Sequence, residues 1–242
     1  MSKTQKATRK KIIFIGPPGS GKGTYSSRLS PILGVPHIAI GDIFREEVKK
    51  ETALGKQVAE YMSRGELVPD EITIAVLKKR LCQADAGKGF ILDGYPRTIP
   101  QAEELEKITE IDVVLLLNIP DDILLEKLTA RRVCSNCGAI YNVANIHRTI
   151  NGVVYDLPAM GSRKEGICDI CGGVLVQRKD DTVQVIQDRM DVYARQTKPL
   201  IEFYRKRKLI ENIFVSAGPE EMLPRILDQL DSTKNRHREE SL

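Results

Sequence analysis

The stretch Ile12-Ile13-Phe14-Ile15-Gly16-Pro17-Pro18-Gly19-Ser20-Gly21-Lys22-Gly23-Thr24 decides the fold. Its first four residues form an apolar, largely β-branched run, the mark of a buried strand in a parallel sheet. The residues after it, Tyr25 to Leu33, read as a helix. Between them lies a glycine-rich turn with the spacing GxxxxGK. There the glycines let successive backbone N–H groups point at one anion, and the helix N-terminus adds the positive end of its dipole. Lys22 brings a point charge to the outer phosphates of a nucleotide. A surface turn with a chance lysine would need neither the strand before it nor the helix after it.

Short apolar runs recur along the chain at Ile12–Ile15, His37–Ile40, Gly89–Asp93, Val113–Ile119 and Ile213–Ser216, with helical patterns between them. This alternation predicts an α/β fold, a parallel sheet covered by helices on both faces. Ligands of such sheets sit beyond the C-terminal strand ends. Two stretches interrupt the pattern. In the first, Gly41 to Val68, helices are expected over Asp42–Val48 and Gly55–Met62, with a break at Arg64-Gly65. The next helix begins near Pro69-Asp70-Glu71, a proline with acidic residues in the first turn. The second interruption, Arg131 to about Lys179, is rich in glycine and carries short alternating runs at Ala139–Val143 and Val174–Gln177, as a small β-rich insert would.

At 242 residues and 41% hydrophobic content, the chain can bury a full core as one domain with insertions. Its longest apolar run, Val113–Ile119, is far too short to span a membrane. The basic leader, Met1–Lys11, lacks a secretory apolar region and reads as a short disordered arm, and the polar tail from Ser232 is expected to fray. A cytoplasmic location follows. With 37 basic and 33 acidic residues, the net charge of +4 does not point to nucleic acid. Five cysteines without a secretion signal argue against a disulfide framework.

Four of those cysteines spell Cys134-Ser135-Asn136-Cys137-Gly138 and Cys168-Asp169-Ile170-Cys171-Gly172. Two CxxC pairs, each followed by a glycine that permits a tight knuckle, are the pattern of a structural tetrathiolate Zn²⁺ site. Cys82 is left over on a helix and is expected to be buried. Asp93-Gly94-Tyr95-Pro96-Arg97-Thr98 closes another strand. Beside the phosphate loop, Asp93 could hold a Mg²⁺-bound water and Arg97 could grip an acceptor phosphate. The alternative is a turn in which the two pair with one another. Arginines recur where inserts meet the core, at Arg45, Arg97, Arg131, Arg178 and Arg189, and positioned cations are what phosphoryl transfer asks of a protein. Asp180 and Asp181 either cap the following helix or latch onto arginines. The three histidines are scattered, and His37 reads as packing. No nucleophile–base pair stands out, and an acceptor phosphate, already ionised, needs none.

Together these residues resemble one family. The Gly-Lys-Gly-Thr form of the loop, with Gly23 where Ser or Thr usually follows the lysine, is similar to nucleoside monophosphate kinases. The segments Gly41-Asp42-Ile43-Phe44-Arg45, Leu67-Val68-Pro69-Asp70-Glu71, Asp93 to Thr98 with Gln101, Arg131-Arg132-Val133, and Arg178 to Asp181 with Arg189 follow in the order seen in adenylate kinases. The resemblance covers roughly residues 11 to 230 and is to the bacterial form with a long, zinc-bearing lid.

The resemblance implies a five-stranded core of the P-loop type (1–38, 69–130 and 180–242), a helical AMP-binding insert (39–68) and a zinc lid (131–179). It implies reversible transfer of the terminal phosphoryl group of Mg²⁺·ATP to AMP, giving two ADP. Gly19, Ser20, Gly21, Lys22, Gly23 and Thr24 would hold the donor phosphates, with Arg131, Ile140, Tyr141 and Pro219 also on ATP. Ile40, Arg45, Glu66, Leu67, Val68, Gly94, Tyr95, Pro96, Arg97, Gln101, Arg178 and Arg189 would surround AMP, Gln101 reading the adenine edge. Lys22, Arg97, Arg131, Arg178 and Arg189 would serve the transferring phosphoryl group. The zinc would lie on Cys134, Cys137, Cys168 and Cys171, and Asp93 would meet Mg²⁺ through water.

The chain departs from the family at Ala39 and Ile40, where Ser or Thr is usual, at Lys127, where an arginine commonly stacks on the donor base, and in its long interval from Cys137 to Cys168. A kinase for another monophosphate, or one using GTP, is the nearest rival reading. A nucleic-acid-binding zinc ribbon is the distant one, and the insert lacks the aromatic-basic run it would need. The expected partners are ATP, AMP and ADP, with no nucleic acid and no membrane, acting on a monomer.

Overall fold

A computed structural model describes the backbone of residues 10–239 and the side chains of residues 10–231. Its centre is β1 (Lys11–Ile15). Around it lie β2 (His37–Ala39), β3 (Phe90–Asp93), β4 (Val113–Asn118) and, late in the chain, β10 (Ile210–Phe214). All pair in parallel, in the order β10-β4-β1-β3-β2. The apolar run of β1 supplies both faces. Ile13 and Ile15 join one buried cluster with Leu92 and Val114, while Ile12 and Phe14 join another with Ile91 and Leu115. Such two-sided burial is why these strands read as unbroken apolar runs.

Helix α1 (Lys22–Leu33) follows β1 directly, so it begins three residues earlier than the sequence pattern suggests, at the lysine itself. Helices α2 (Ile40–Lys49) and α3 (Ala53–Ser63) form the first insert, and α4 (Asp70–Leu81) returns to the core. Helix α5 (Ile99–Ile108) follows β3 and α6 (Asp121–Thr129) follows β4. After the second insert come α7 (Val183–Val192), α8 (Pro199–Lys206) and, beyond β10, α9 (Pro219–Glu239).

Several expectations are corrected. Strand β2 ends at Ala39 and Ile40 opens α2. The last strand lies at Ile210–Phe214, not Ile213–Ser216. It is a sheet edge with alternating exposure, so its apolar signal is diluted by Glu211 and Asn212. Lys10 and Lys11 are not part of a loose arm, for their backbone N–H groups donate to Asp112 Oδ2 at 2.7 and 2.9 Å. The rest of the leader, residues 1–9, lies outside the described residues. Beyond Ser232 the backbone remains helical to Glu239, and the side chains of that tail lie outside the described residues. Cys82 follows the last turn of α4 and is exposed.

The second insert is β-rich, as expected, but has two parts. Strands β5 (Arg131–Cys134), β6 (Ile140–Asn142) and β9 (Leu175–Val176) form a small antiparallel sheet that carries the cysteines. Strands β7 (Ile146–Ile150) and β8 (Val153–Leu157) form a separate hairpin. Its two-residue turn, Asn151-Gly152, has φ of 49° and 79°, the left-handed pair that a tight hairpin needs. This hairpin docks on the core. Ile146 and Leu157 are buried in the cluster of Ile12 and Phe14. The N–H of Asp156 donates to the carbonyl of Ser216 at 2.8 Å, and Arg148 pairs with Glu126 of α6.

Candidate active site

One cleft runs across the C-terminal ends of the strands, between the two inserts. At its floor is the phosphate loop. Gly19 and Gly21 have φ of 84° and 100°, a region that only glycine enters without strain. Gly21 caps α1, so the loop hands its N–H groups to a helix N-terminus. The departure at Gly23 has a steric reason, since a Cβ there would lie 3.2 Å from both Asp93 Oδ2 and Ile140 Cδ1. The bare backbone admits a carboxylate from β3 on one side and the cysteine-bearing sheet on the other.

Lys22 turns its ammonium to the carbonyls of Gly16 and Pro17, at 2.7 and 2.9 Å. Burial pulls it down from its ordinary value to about 7; Asp93 opposes this, while Arg97, Arg189 and Arg131 add to it. A phosphate arriving here would therefore favour the ammonium form of Lys22. Asp93 is half-buried at the end of β3, and its Oδ2 is 3.4 Å from His37 Nε2. Burial works against its ionisation, but His37, Lys22 and Arg97 outweigh burial and hold the carboxyl below its usual range. His37 thus contacts the carboxylate of the neighbouring strand and is not itself among the residues lining the cleft. The Asp93–Arg97 pair is not formed; Arg97 Nε donates instead to the carbonyl of Gly94 at 3.0 Å.

Four further arginines converge, three from α2, β5 and α7 and one from the loop before α7, each on an aspartate or backbone oxygen. Arg45 on α2 binds Asp42 one turn earlier. Arg131, at the root of β5, makes a two-pronged contact with the fully buried Asp181. Arg178 grips Asp180 through Nε and Nη2 at 3.1 and 3.2 Å. Arg189 on α7 reaches the Asp180 carbonyl at 3.0 Å and Asp181 Oδ1 at 3.2 Å. The two aspartates therefore latch arginines, and the cap of α7 is Thr182. Burial disfavours the charge of Asp180, yet Arg178, Arg189, Arg131 and Arg45 bring its carboxyl down to about 2. Burial, with repulsion from Arg131 and Arg178, lowers Arg189 to about 10 despite Asp180 and Asp181.

The cleft brings together nearly every residue singled out from sequence. Gly19, Gly21, Lys22, Gly23, Thr24, Ile40, Arg45, Glu66, Leu67, Val68, Asp93, Gly94, Pro96, Arg97 and Gln101 line it, as do Arg131, Ile140, Tyr141, Arg178, Arg189 and Pro219. Ser20 and Tyr95 do not. Both are fully buried, Ser20 inside the turn and Tyr95 behind the wall, where its hydroxyl donates to the Gln101 carbonyl at 2.9 Å. Sequence reasoning missed the hairpin's share of the wall, Ile146 and Leu157, with Met160 just beyond it. The Asn-Gly turn was the available signal for that hairpin. The acid partners Asp42 and Asp181 were visible only as nearby residues of opposite charge.

The four cysteine sulfurs lie within 4.8 Å of one another. Cys134 and Cys171 are 3.5 Å apart, and Cys137 and Cys168 3.6 Å. Thiolates around a tetrahedral Zn²⁺, at ~2.3 Å each, stand about 3.8 Å apart, so the set fits that ion with no position left for water. Gly138 and Gly172, at φ 76° and 70°, close the two knuckles. Tyr141 lies against the cluster, its hydroxyl donating to Cys168 Sγ at 3.5 Å and accepting from the Asp169 N–H at 2.8 Å.

Comparison with known proteins agrees with this geometry. The family model described as adenylate kinase matches residues 14–209. The adenylate kinase of Caldicellulosiruptor saccharolyticus is 48% identical over 217 residues, 88% of this chain and 93% of that protein. That of Clostridium tetani is 44% identical over 204 residues, covering 82% and 88%. That of Thermosipho melanesiensis is 41% identical over 222 residues, covering 90% and 97%. With the family model matching residues 14–209 and relatives 41–48% identical over most of its length, the chain belongs to the adenylate kinase family.

Proposed function

We propose that the cleft transfers the terminal phosphoryl group of ATP to AMP, giving two ADP, with each insert serving one nucleotide. In this reading the core (1–38, 69–130 and 180–242) holds the donor phosphates on Gly19 to Thr24. The first insert (39–68) takes AMP, and the second (131–179) is a lid over ATP. The AMP phosphate lies between Arg45 and Arg97. Its base lies near Gln101, Ile40, Glu66, Leu67 and Val68. The ATP base lies at the far end, among Ile140, Tyr141, Pro219 and Lys127. The observation that carries this reading is the convergence of Lys22 and five arginines on one cleft at the end of a phosphate loop.

A P–O bond to the ADP leaving group breaks as one to the AMP phosphate oxygen forms, so charge moves among oxygens with no proton to abstract. The protein's contribution is then position and charge. Lys22 meets the outer donor phosphates, and Arg97, Arg131, Arg178 and Arg189 surround the group in flight. Arg131, Arg178 and Arg189 must each exchange an aspartate for a phosphate, and Arg97 the Gly94 carbonyl, contacts that keep the cluster ordered before the nucleotide arrives. Mg²⁺, when bound, would neutralise phosphate charge, and Asp93 would orient a water of its shell. Zn²⁺ on the four cysteines is structural, because that donor set leaves no open position.

No helix among the described residues is long and apolar enough to cross a membrane, and the cysteines are unpaired. Both support a cytoplasmic enzyme, and we read it as a monomer that binds nucleotides and no nucleic acid. The decisive experiment follows ADP formation from ATP and AMP with and without Mg²⁺, across a panel of other monophosphates and triphosphates. Rapid, Mg²⁺-dependent turnover confined to AMP as acceptor is the expected result. Equal turnover with GMP or CMP, or tight single-stranded nucleic-acid binding with no ADP formed, would overturn it.

A further inference from the structure

Gln101 lines the acceptor end of the cleft and is 1% exposed. Its amide is held by two neighbours of opposite kind. The backbone N–H of Arg97 donates to Oε1 at 2.8 Å. Nε2 donates to Asp70 Oδ1 at 2.6 Å. The other oxygen of Asp70 accepts from the Thr98 hydroxyl at 2.8 Å, and Thr98 caps α5 by accepting from the Gln101 N–H. A backbone N–H can only donate, and a carboxylate can only accept. The two contacts therefore allow one amide orientation, oxygen toward Arg97 and nitrogen toward Asp70.

We propose that Asp70 is a positioning residue for base selection: it locks Gln101 in one of its two flips, so that the acceptor site takes a 6-aminopurine and refuses a 6-oxopurine. The proposal rests on the reading of Gln101 as the side chain that meets the acceptor base. Asp70 itself is not among the residues lining the cleft. After its two protein contacts, the amide retains one N–H and one lone pair, in a fixed order. Adenine presents an amino donor beside a ring-nitrogen acceptor. A 6-oxopurine presents the reverse, a carbonyl acceptor beside a ring N–H. To match it, the amide must flip. Oε1 would then face the Asp70 carboxylate, and Nε2 the Arg97 N–H. Two buried hydrogen bonds would become two like-with-like contacts. A site built on fixed donors and acceptors rejects the wrong partner far better than a merely apolar pocket does.

The test is initial-rate kinetics with AMP and with IMP as acceptor, at fixed saturating ATP, for the wild type, Asp70→Ala, Asp70→Asn and Gln101→Ala. For Asp70→Ala, the preference for AMP over IMP should fall by about tenfold or more, with the change in KM and kcat nearly constant. The KM for ATP should stay within about twofold. Asp70→Asn can offer Gln101 either an acceptor or an N–H. It should keep the KM for AMP within about threefold while admitting IMP, an outcome that a purely structural role does not produce. Melting temperatures of both variants establish that they are folded. An unchanged AMP-to-IMP ratio in both Asp70 variants, with Gln101→Ala lowering it, overturns the proposal alone. An unchanged ratio in Gln101→Ala overturns the reading of Gln101 and the proposal with it.

Discussion

The ammonium of Lys49, at the end of α2, donates to the carbonyl oxygen of Ser135 at 3.0 Å, inside the first cysteine knuckle. This bond joins the first insert to the cysteine-bearing sheet of the second. Both residues are exposed, so the bond is worth about 1 kcal/mol. Lys49→Met should therefore loosen the contact between the inserts without touching the chemistry. We expect KM to rise about two- to fivefold for both nucleotides with kcat undiminished, measured by initial rates. A selective fall in kcat would mean that Lys49 acts on the transferring group instead.

The apolar core of the cysteine-bearing sheet is small, with Ala139 and Leu175 packed on Tyr141, Cys134 and Cys168. Metal binding by such a module is coupled to its folding. A Cys134→Ser, Cys137→Ser variant should lose its zinc, by metal analysis, and lose turnover. Because the hairpin is anchored separately, hydrogen exchange should quicken at residues 131–142 and 166–178 while residues 146–157 stay protected. AMP binding should weaken only severalfold, through the lost Ser135 contact. Loss of protection over the whole insert would show that the two parts fold as one.

Lys22 is lowered to about 7 by burial and by its cationic neighbours. Bound phosphates favour the ammonium, so nucleotide binding raises that value again. Above pH 7 the free enzyme must take up a proton to bind ATP, and its affinity should fall as pH rises through that point. Calorimetry at pH 8 in two buffers of different ionisation enthalpy should show uptake approaching about one proton, and at pH 6 almost none. Lys127, lowered by burial to about 8, adds a share at the higher pH. Lys22→Met isolates it and should also cut turnover by about a hundredfold or more.

Ile40 lines the cleft, yet is 2% exposed and belongs to the cluster that holds Phe44, Val58 and Val68. Replacing it by Thr puts a hydroxyl into that packing. The expected result is a loss of about 1–2 kcal/mol of stability, read as a lower melting temperature. The KM for AMP should fall by no more than about threefold. A stable variant with a much lower KM would show that the side chain faces the nucleotide more than the core.

The central strands, the phosphate loop and the cysteine knuckles were legible because each is a local pattern with one physical meaning. The apolar run of β4 is buried on both faces, and the CxxC-Gly spacing closes a knuckle without help from elsewhere. Strand β10 was displaced by three residues because an edge strand alternates. Contacts between distant segments were not legible. Nothing near Lys10 announces Asp112, and nothing near Gln101 announces Asp70. The roles of Asp180 and Asp181 were open between cap and latch because both are local motifs, and only the approach of Arg131 and Arg189 from other elements decides it. The contact of His37 with Asp93 was not legible for the same reason, since Asp93 belongs to another strand.

The burial of Ile146 and Leu157 against the core bears on temperature. At 1% and 6% exposure, they re-enter water whenever the hairpin lifts. Exposed apolar surface carries a positive heat-capacity change, and its burial is weaker in the cold. Lifting of the hairpin would therefore have a heat capacity of its own. Chilling eases the hairpin off, and warming toward ambient seats it more firmly. Where product release waits on that step, the rate should not follow a straight Arrhenius line, and its curvature would be a property of these two side chains.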